Sequence, residues 1–494
     1  MCVAIIYWVA LQALINTDAV RERLSASLKE QTGAVLEVQQ TALSVFPLPS
    51  VILRRVSIVN STQSNESYFF EAESITFRLG LSSIFESQPK FSEVKLRKPR
   101  LSLERYSLQE ANWTGFLALF KNMNGVAIDK MTVMDGLITY RDASNEQLQS
   151  LDKLQGQVQW RAGALTSARL GFSVFDTASE FSLSTSGVTI SAYDHFTMQA
   201  DALLRVGKDY AGYKGALAQM PGQPLIGQGS IQIEAQHARQ WMERLFSAEK
   251  KLGAFAAITK DMPLHLQANL NSRADRGTLA LQDLSLGESK GKVNVSWLVQ
   301  PTKTQAKVEA IFEQLSIDQV LGDKDGNPSH FLTVFLPEGV EANITAQIKK
   351  MPFNQVPISD VKFTASLSDG EMNINQLLLA LPGRTRGFVF GIMKRDATGG
   401  INFDGSAELI GEDAASFLTE SGFGKVNLVA QAHSKFRARS AVFLSGDRGT
   451  FSELRFQGGD FYVVGGINLN PGTKNDIEMT LRFKNVHLEP LASF

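Results

Sequence analysis

Cysteine is almost missing from this chain of 494 residues, Cys2 being the only one. A single thiol makes no intramolecular disulfide and no cysteine-based zinc site. Excess charge is missing too: 49 Lys and Arg stand against 50 Asp and Glu, so the body has no global positive field for nucleic acid. The six histidines, His195, His237, His265, His330, His433 and His487, are scattered singly, with no i,i+4 pair and no carboxylate at ligand spacing. P-loops and dinucleotide fingerprints do not occur, and no close carboxylate pair nominates a glycosidase centre. DKDGNPSH puts Asp323, Asp325 and Asn327 at alternate positions like a calcium loop, but Pro328 replaces the turn glycine and Val334 the bidentate Glu. No catalysis, metal or cofactor is expected.

A long hydrophobic run is lacking as well. The opening apolar stretch from Val3 to Ile15, in which Val3, Ile5, Ile6, Trp8, Leu11 and Leu14 are the membrane-anchor candidates, is interrupted by Gln12. At about 1.5 Å per helical residue it covers barely two-thirds of a hydrocarbon core of roughly 30 Å. Nothing basic precedes Val3 and no small-residue cleavage site follows, so a secretory signal is not indicated. Arg21, Arg23 and Lys29 all follow the run, which read literally would leave the body in the cytoplasm. Against a buried helix, Ile5, Ile6, Tyr7 and Trp8 are apolar all round.

What is present in abundance is a two-residue period. In GVEANITAQIKK, Val340, Ala342, Ile344, Ala346 and Ile348 alternate with Glu341, Asn343, Thr345, Gln347 and Lys349, the pattern of a strand with one wet face. The same alternation runs through Phe196 to Val206, Leu264 to Leu270, Val293 to Trp297, Val361 to Leu367, and Ile477, Met479, Leu481 and Phe483. Turn clusters such as SLSDGEMN, DATGG and NPGTKND separate the runs, spaced as antiparallel meanders require. The spacing predicts a mainly β protein built of one-sided antiparallel sheet.

Helical patterns are few. NTDAVRERLSASLKEQTG places Val20, Leu24 and Leu28 on one face, WTGFLALFKN supplies about two turns, and HARQWMERLFSAEKKLGAFAAITK carries a stripe of Trp241, Leu245 and Leu252. The segment Ala306, Val308, Ala310, Phe312, then Leu315 and Ile317, repeats at a constant offset as Ile477, Met479, Leu481, Phe483, then Val486 and Leu488. Weaker copies occur in SIQIEAQHARQWMERLF and INFDGSAELIGEDAASFL. The strand ends at Ala235, Phe312, Leu409 and Phe483 are roughly 75 to 95 residues apart, room for about five to seven strands per block, as in a stacked or elongated β architecture. In PGRTRG, Arg384 and Arg386 suggest either an anion site or solubilising charge at a hairpin.

The N-terminal third resembles a known family. LINTDAVRERLSASLKEQTGAVLEV, then ALSVFPLPSVILRRVSIVN, FEAESITFRLGLSSIF and FSEVKLRKPRLSLER follow one another as in the AsmA family of bacterial envelope proteins, related to TamB. The resemblance is close over about residues 10 to 110 and diffuse beyond. It implies a single-pass inner-membrane anchor with the body in the periplasm, and an elongated, curled antiparallel sheet with an open apolar groove, similar to bridge-like lipid-transfer proteins. Membrane phospholipids and outer-membrane assembly proteins are then the expected partners, with no nucleic acid. The groove candidates are Val340, Ala342, Ile344, Ala346 and Ile348, with Ile477, Met479, Leu481 and Phe483.

The expected organisation is an anchor at 1–16, an AsmA-like region at 17–110, a β-rich block at 111–235, a helical insert at 236–260 and repeated β-rich blocks at 261–494. Met1 is expected to lie inside the natural span rather than at its start, since the family carries a longer span with a short basic head. Alternation alone also fits a closed sandwich, and a secreted or surface adhesion scaffold without lipid transfer is the alternative.

Overall fold

The computed structural model describes residues 22, 25, 26, 29, 34–44, 48–60, 64, 66–80, 90–106, 111–113, 127–142, 147–161, 164–174, 176–190, 196–219, 226–241, 261–317, 336, 339–353, 356–395, 400–423, 435–445, 448–459, 461–471 and 475–484. The anchor expected at 1–16 and most of the helical insert lie outside them; of the insert, residues 238–241 are helical. No helix among the described residues is long and apolar enough to cross a membrane. The chain divides into an N-terminal unit, Met1–Gln223 with Arg244–Ala248, and a C-terminal unit, Pro224–Glu243 with Glu249–Phe494.

Strands dominate both units. The N-terminal unit holds β1 (Leu36–Ser44), β2 (Ser50–Val59), β3 (Tyr68–Leu79), β4 (Lys90–Arg97), β5 (Arg100–Arg105), β6 (Ala127–Ile128), β7 (Lys130–Asp142), β8 (Gln147–Arg161), β9 (Ala164–Val174), β10 (Thr177–Ile190), β11 (Phe196–Val206) and β12 (Asp209–Gln219). From β1 to β3 and from β7 to β12 each strand pairs antiparallel with the next. Val51, Leu53 and Val56 form a small core with Leu36, Val38, Ile75 and Phe77 of the flanking strands.

The antiparallel meander expected from the turn spacing is broken by parallel steps. β3 pairs antiparallel with both β4 and β5, and β7 runs parallel to both, so Lys90 to Arg105 is one strand kinked at Lys98 (φ 46°) and Pro99. The Pro99 carbonyl accepts from Leu137 N and Lys98 N donates to the Met134 carbonyl, both at 2.8 Å, which keeps the seam bonded across the kink. Glu93 ties three strands together here. Its carboxylate accepts from Thr132 Oγ1 at 2.8 Å and from the Arg78 guanidinium, and lies 3.3 Å from Lys130 Nζ.

Burial pushes the Glu93 carboxyl upward, but the bonds from Thr132 and Lys130 and the charges of Lys130 and Arg78 outweigh it and hold the group below its ordinary 4.5. A folded-state value depressed in this way contributes stability that is present above pH 4.5 and lost as the pH falls through the lowered value. Glu93→Gln is therefore expected to cost about 1–2 kcal/mol near neutral pH and to flatten the acid limb of melting temperature against pH. An equally steep acid limb in the variant would show that this cluster does not set it.

The C-terminal unit holds β13 (Ile226–Ala235), β14 (Leu264–Ser272), β15 (Arg276–Leu286), β16 (Ser289–Val299), β17 (Thr304–Gln314), β18 (Val340–Phe353), β19 (Val356–Ser368), β20 (Glu371–Leu381) and β21 (Thr385–Arg395). β22 (Ile401–Gly411), α1 (Ala414–Leu418), β23 (Phe436–Ser445), β24 (Arg448–Gly458), β25 (Phe461–Pro471) and β26 (Asn475–Lys484) complete it. Each strand pairs with the next in sequence, and β17 and β18 pair parallel across the long segment between them; the rest of the ladder is antiparallel. A parallel pair needs such a crossover, whereas the Asp369–Gly370 loop, left-handed at both residues (φ 50° and 76°), turns β19 directly into β20. The end strands β13 and β26 do not pair with each other among the described residues, so this ladder is an open sheet.

The strands that the repeat marked out, β13, β17 and β22, are each followed by a non-hairpin segment. After β22 that segment is α1, capped by Asp413, whose Oδ1 accepts from Ser416 N at 3.1 Å. Its Phe417 packs on Phe436 of β23 at 5.4 Å, and Phe436 stacks on Phe456 at 5.7 Å.

Candidate apolar face and rim cavities

The register of the C-terminal unit aligns the two predicted apolar rows on one face. Residues directly opposite in a ladder point to the same side of a sheet. From Ile344 the pairs run through Val308, Val295, Leu279 and Leu270 to Gly229 on β13. In the other direction they run through Ala365, Ile374, Gly391 and Gly405, then Val442, Phe451 and Ile467 to Met479 on β26. No polar side chain interrupts this row across all fourteen strands. At about 4.8 Å per strand it extends on the order of 60 Å along the sheet.

Around Thr345 the opposite face is wet. Thr345 lies opposite Glu309 and Thr364, followed outward by Asn294 and Gln376. On β18, Asn343, Thr345, Gln347 and Lys349 are exposed, while Glu341 is half-buried with Oε1 2.6 Å from Lys303 Nζ. That bond holds the Glu341 carboxyl below its ordinary range.

Burial along the apolar row is graded. Ala342 and Ile348 are buried, Val340, Ile344 and Ala346 half-buried. Leu336, from the crossover between β17 and β18, is fully buried among Ala342, Leu367, Met372 and their neighbours. On the edge strand β26, Ile477, Met479 and Phe483 are 61 %, 59 % and 57 % exposed and Leu481 is half-buried. Among the described residues of the C-terminal unit no second sheet is formed to cover this face; its side chains pack on each other and on short crossover pieces. An uncovered apolar sheet face of this extent is the kind of surface that other hydrocarbon occupies. The anchor candidates Val3, Ile5, Ile6, Trp8, Leu11 and Leu14 lie outside the described residues.

Each rim of the sheet has a cavity. One, of about 810 Å³, lies where β14 and β15 turn and where β17 and β18 begin, with Trp297, Ala306, Ala342 and Leu367 in its wall. The Trp297 indole lies over Gly277, its cross-strand partner. The other, of about 880 Å³, is bounded by the β20–β21 hairpin, the end of β22 and the start of β23, and gathers Arg384, Arg386, Lys435 and Arg437. The PGRTRG signal thus nominated two of four cations; Lys435 and Arg437 arrive from a distant stretch that only strand pairing brings alongside.

Two of the histidines, scattered singly along the chain, have carboxylates beside them in the fold. His265 Nδ1 lies 3.3 Å from Glu234 Oε1 and its Nε2 3.7 Å from Asp283 Oδ2, on the two flanking strands, and His237 Nδ1 lies 2.9 Å from Asp261 Oδ2. These neighbours are on adjacent strands or far apart in sequence, and spacing along the chain does not reveal them.

No curated protein and no solved structure matches the chain. The AsmA family model matches residues 1–204, which include the kinked β4–β5 strand and its parallel seam with β7. Over this N-terminal region the chain is similar to the AsmA family.

Proposed function

We propose that this protein is a periplasmic, AsmA-like lipid-handling protein held by a single N-terminal helix in the bacterial inner membrane. It carries phospholipid between envelope membranes, in support of outer-membrane assembly, and does no covalent chemistry. The observation that carries this reading is the uninterrupted apolar row from Gly229 to Met479 on an open sheet. A leaflet's acyl chains span about 15 Å, half of a core of roughly 30 Å, so the row has length for several lipids in file. Headgroups would stay at the rims, in water. The closed-sandwich adhesion reading is weakened because the C-terminal unit runs as one open ladder and has no facing sheet among its described residues.

Mass spectrometry of lipid extracted from the protein, purified from bacterial cells, tests the reading. Phospholipid is expected in at least equimolar amount, well above that carried by an unrelated soluble β protein handled identically. Lipid at the control level would overturn it.

A further inference from the structure

The cationic rim of the C-terminal unit combines three features. The first is charge. Arg384 Nη1 lies 3.2 Å from Glu412 Oε2, and Arg437 is bonded to Glu408. Arg386 and Lys435 have no carboxylate partner among the described residues, so four cations meet two carboxylates around one cavity.

The second is a buried hydroxyl. Thr385, between the two arginines and lining the same cavity, is 1 % exposed, yet its Oγ1 has no hydrogen-bond partner among the described residues. Buried hydroxyls are rarely left so, because the desolvation cost is not recovered.

The third is the meeting of the two faces. Arg386, Ile410 and Arg437 are opposite one another on the wet face, whereas Leu381 opposite Thr385, and Gly411 opposite Phe436, belong to the apolar one. The hairpin is held in place, since a side chain at Gly383 would lie 2.6 Å from both the Asp413 carbonyl oxygen and Phe417 N at α1.

Resting on the lipid-handling reading above, we propose that this rim is a head-group site for an anionic phospholipid. Arg386 and Lys435 hold the phosphate, and the glycerol end lies against Leu381, where the apolar face begins. A guanidinium donates paired bonds to phosphate oxygens, and the ammonium adds a point charge. The surplus of positive charge selects a net-negative head group over a zwitterionic one, whose own ammonium it repels.

The test uses the full-length protein and mixed vesicles of phosphatidylglycerol and phosphatidylcholine, with bound lipid quantified by mass spectrometry. The wild type is expected to take up the anionic lipid in preference by about tenfold. Arg386→Ala/Lys435→Ala should bring the ratio near parity with total uptake and melting temperature unchanged. Arg386→Lys, which keeps the charge, and Lys292→Ala, which removes a cation elsewhere in the unit, should retain the preference. An unchanged ratio in the double variant would overturn the assignment. So would displacement of the anionic lipid by millimolar inorganic phosphate, which would make this a free-phosphate site. Uptake without any preference sinks the rim assignment alone; no uptake of either lipid sinks the lipid-handling reading and the rim assignment together.

Discussion

Under the proposed lipid-handling function, Ile344→Asp is expected to leave the C-terminal unit folded while reducing co-purifying lipid several-fold. Ile344 is half-buried in the middle of the apolar row, with Val308 and Ala365 directly beside it. On an open face, water reaches the new carboxylate, and the cost to stability is about 1–2 kcal/mol. In a closed core the same unpaired charge would cost several kcal/mol and unfold the unit. Thr345→Asp places the charge on the wet face next to Glu309, whose carboxylate is already engaged by Lys307 at 2.6 Å, and should change stability by no more than about 0.5 kcal/mol. Denaturation midpoints and bound lipid for the two variants separate the models. A folded Ile344→Asp protein with its full complement of lipid would exclude this position from the lipid path, and an unfolded one would return the closed core.

Gly277→Val should destabilise the same unit by about 2 kcal/mol or more, as overpacking does. A Cβ at Gly277 would lie 2.2 Å from Cζ2 and 2.6 Å from Cε2 of Trp297, so the indole has to leave the wall of the 810 Å³ cavity. The partner of the clash is one side chain, which makes it removable. In Gly277→Val/Trp297→Ala the valine should cost much less than it does beside the tryptophan, and a double-mutant cycle in urea reads that coupling. Additive costs would mean that the indole is not what forbids a side chain at 277.

The amphipathic character of the fold was written in the residue order. Val340 to Ile348 alternate with Glu341 to Lys349 because a strand throws successive side chains to opposite faces, and that rule needs no knowledge of neighbours. The Asp369–Gly370 hairpin was legible for the same local reason, as were the non-hairpin exits after β13, β17 and β22. The order of motifs in the first hundred residues was enough to indicate the family. Tertiary structure decided everything that depends on which strand lies beside which. The parallel steps at β5–β7 and β17–β18 are set by crossovers and by bridging groups such as Glu93. The alignment of Ile344 with Met479 on one face depends on eight successive registers, any one of which, slipped by a residue, would have turned the row to water. The gathering of Lys435 and Arg437 with Arg384 and Arg386 is likewise a product of pairing, because a sheet brings together residues that the chain keeps far apart.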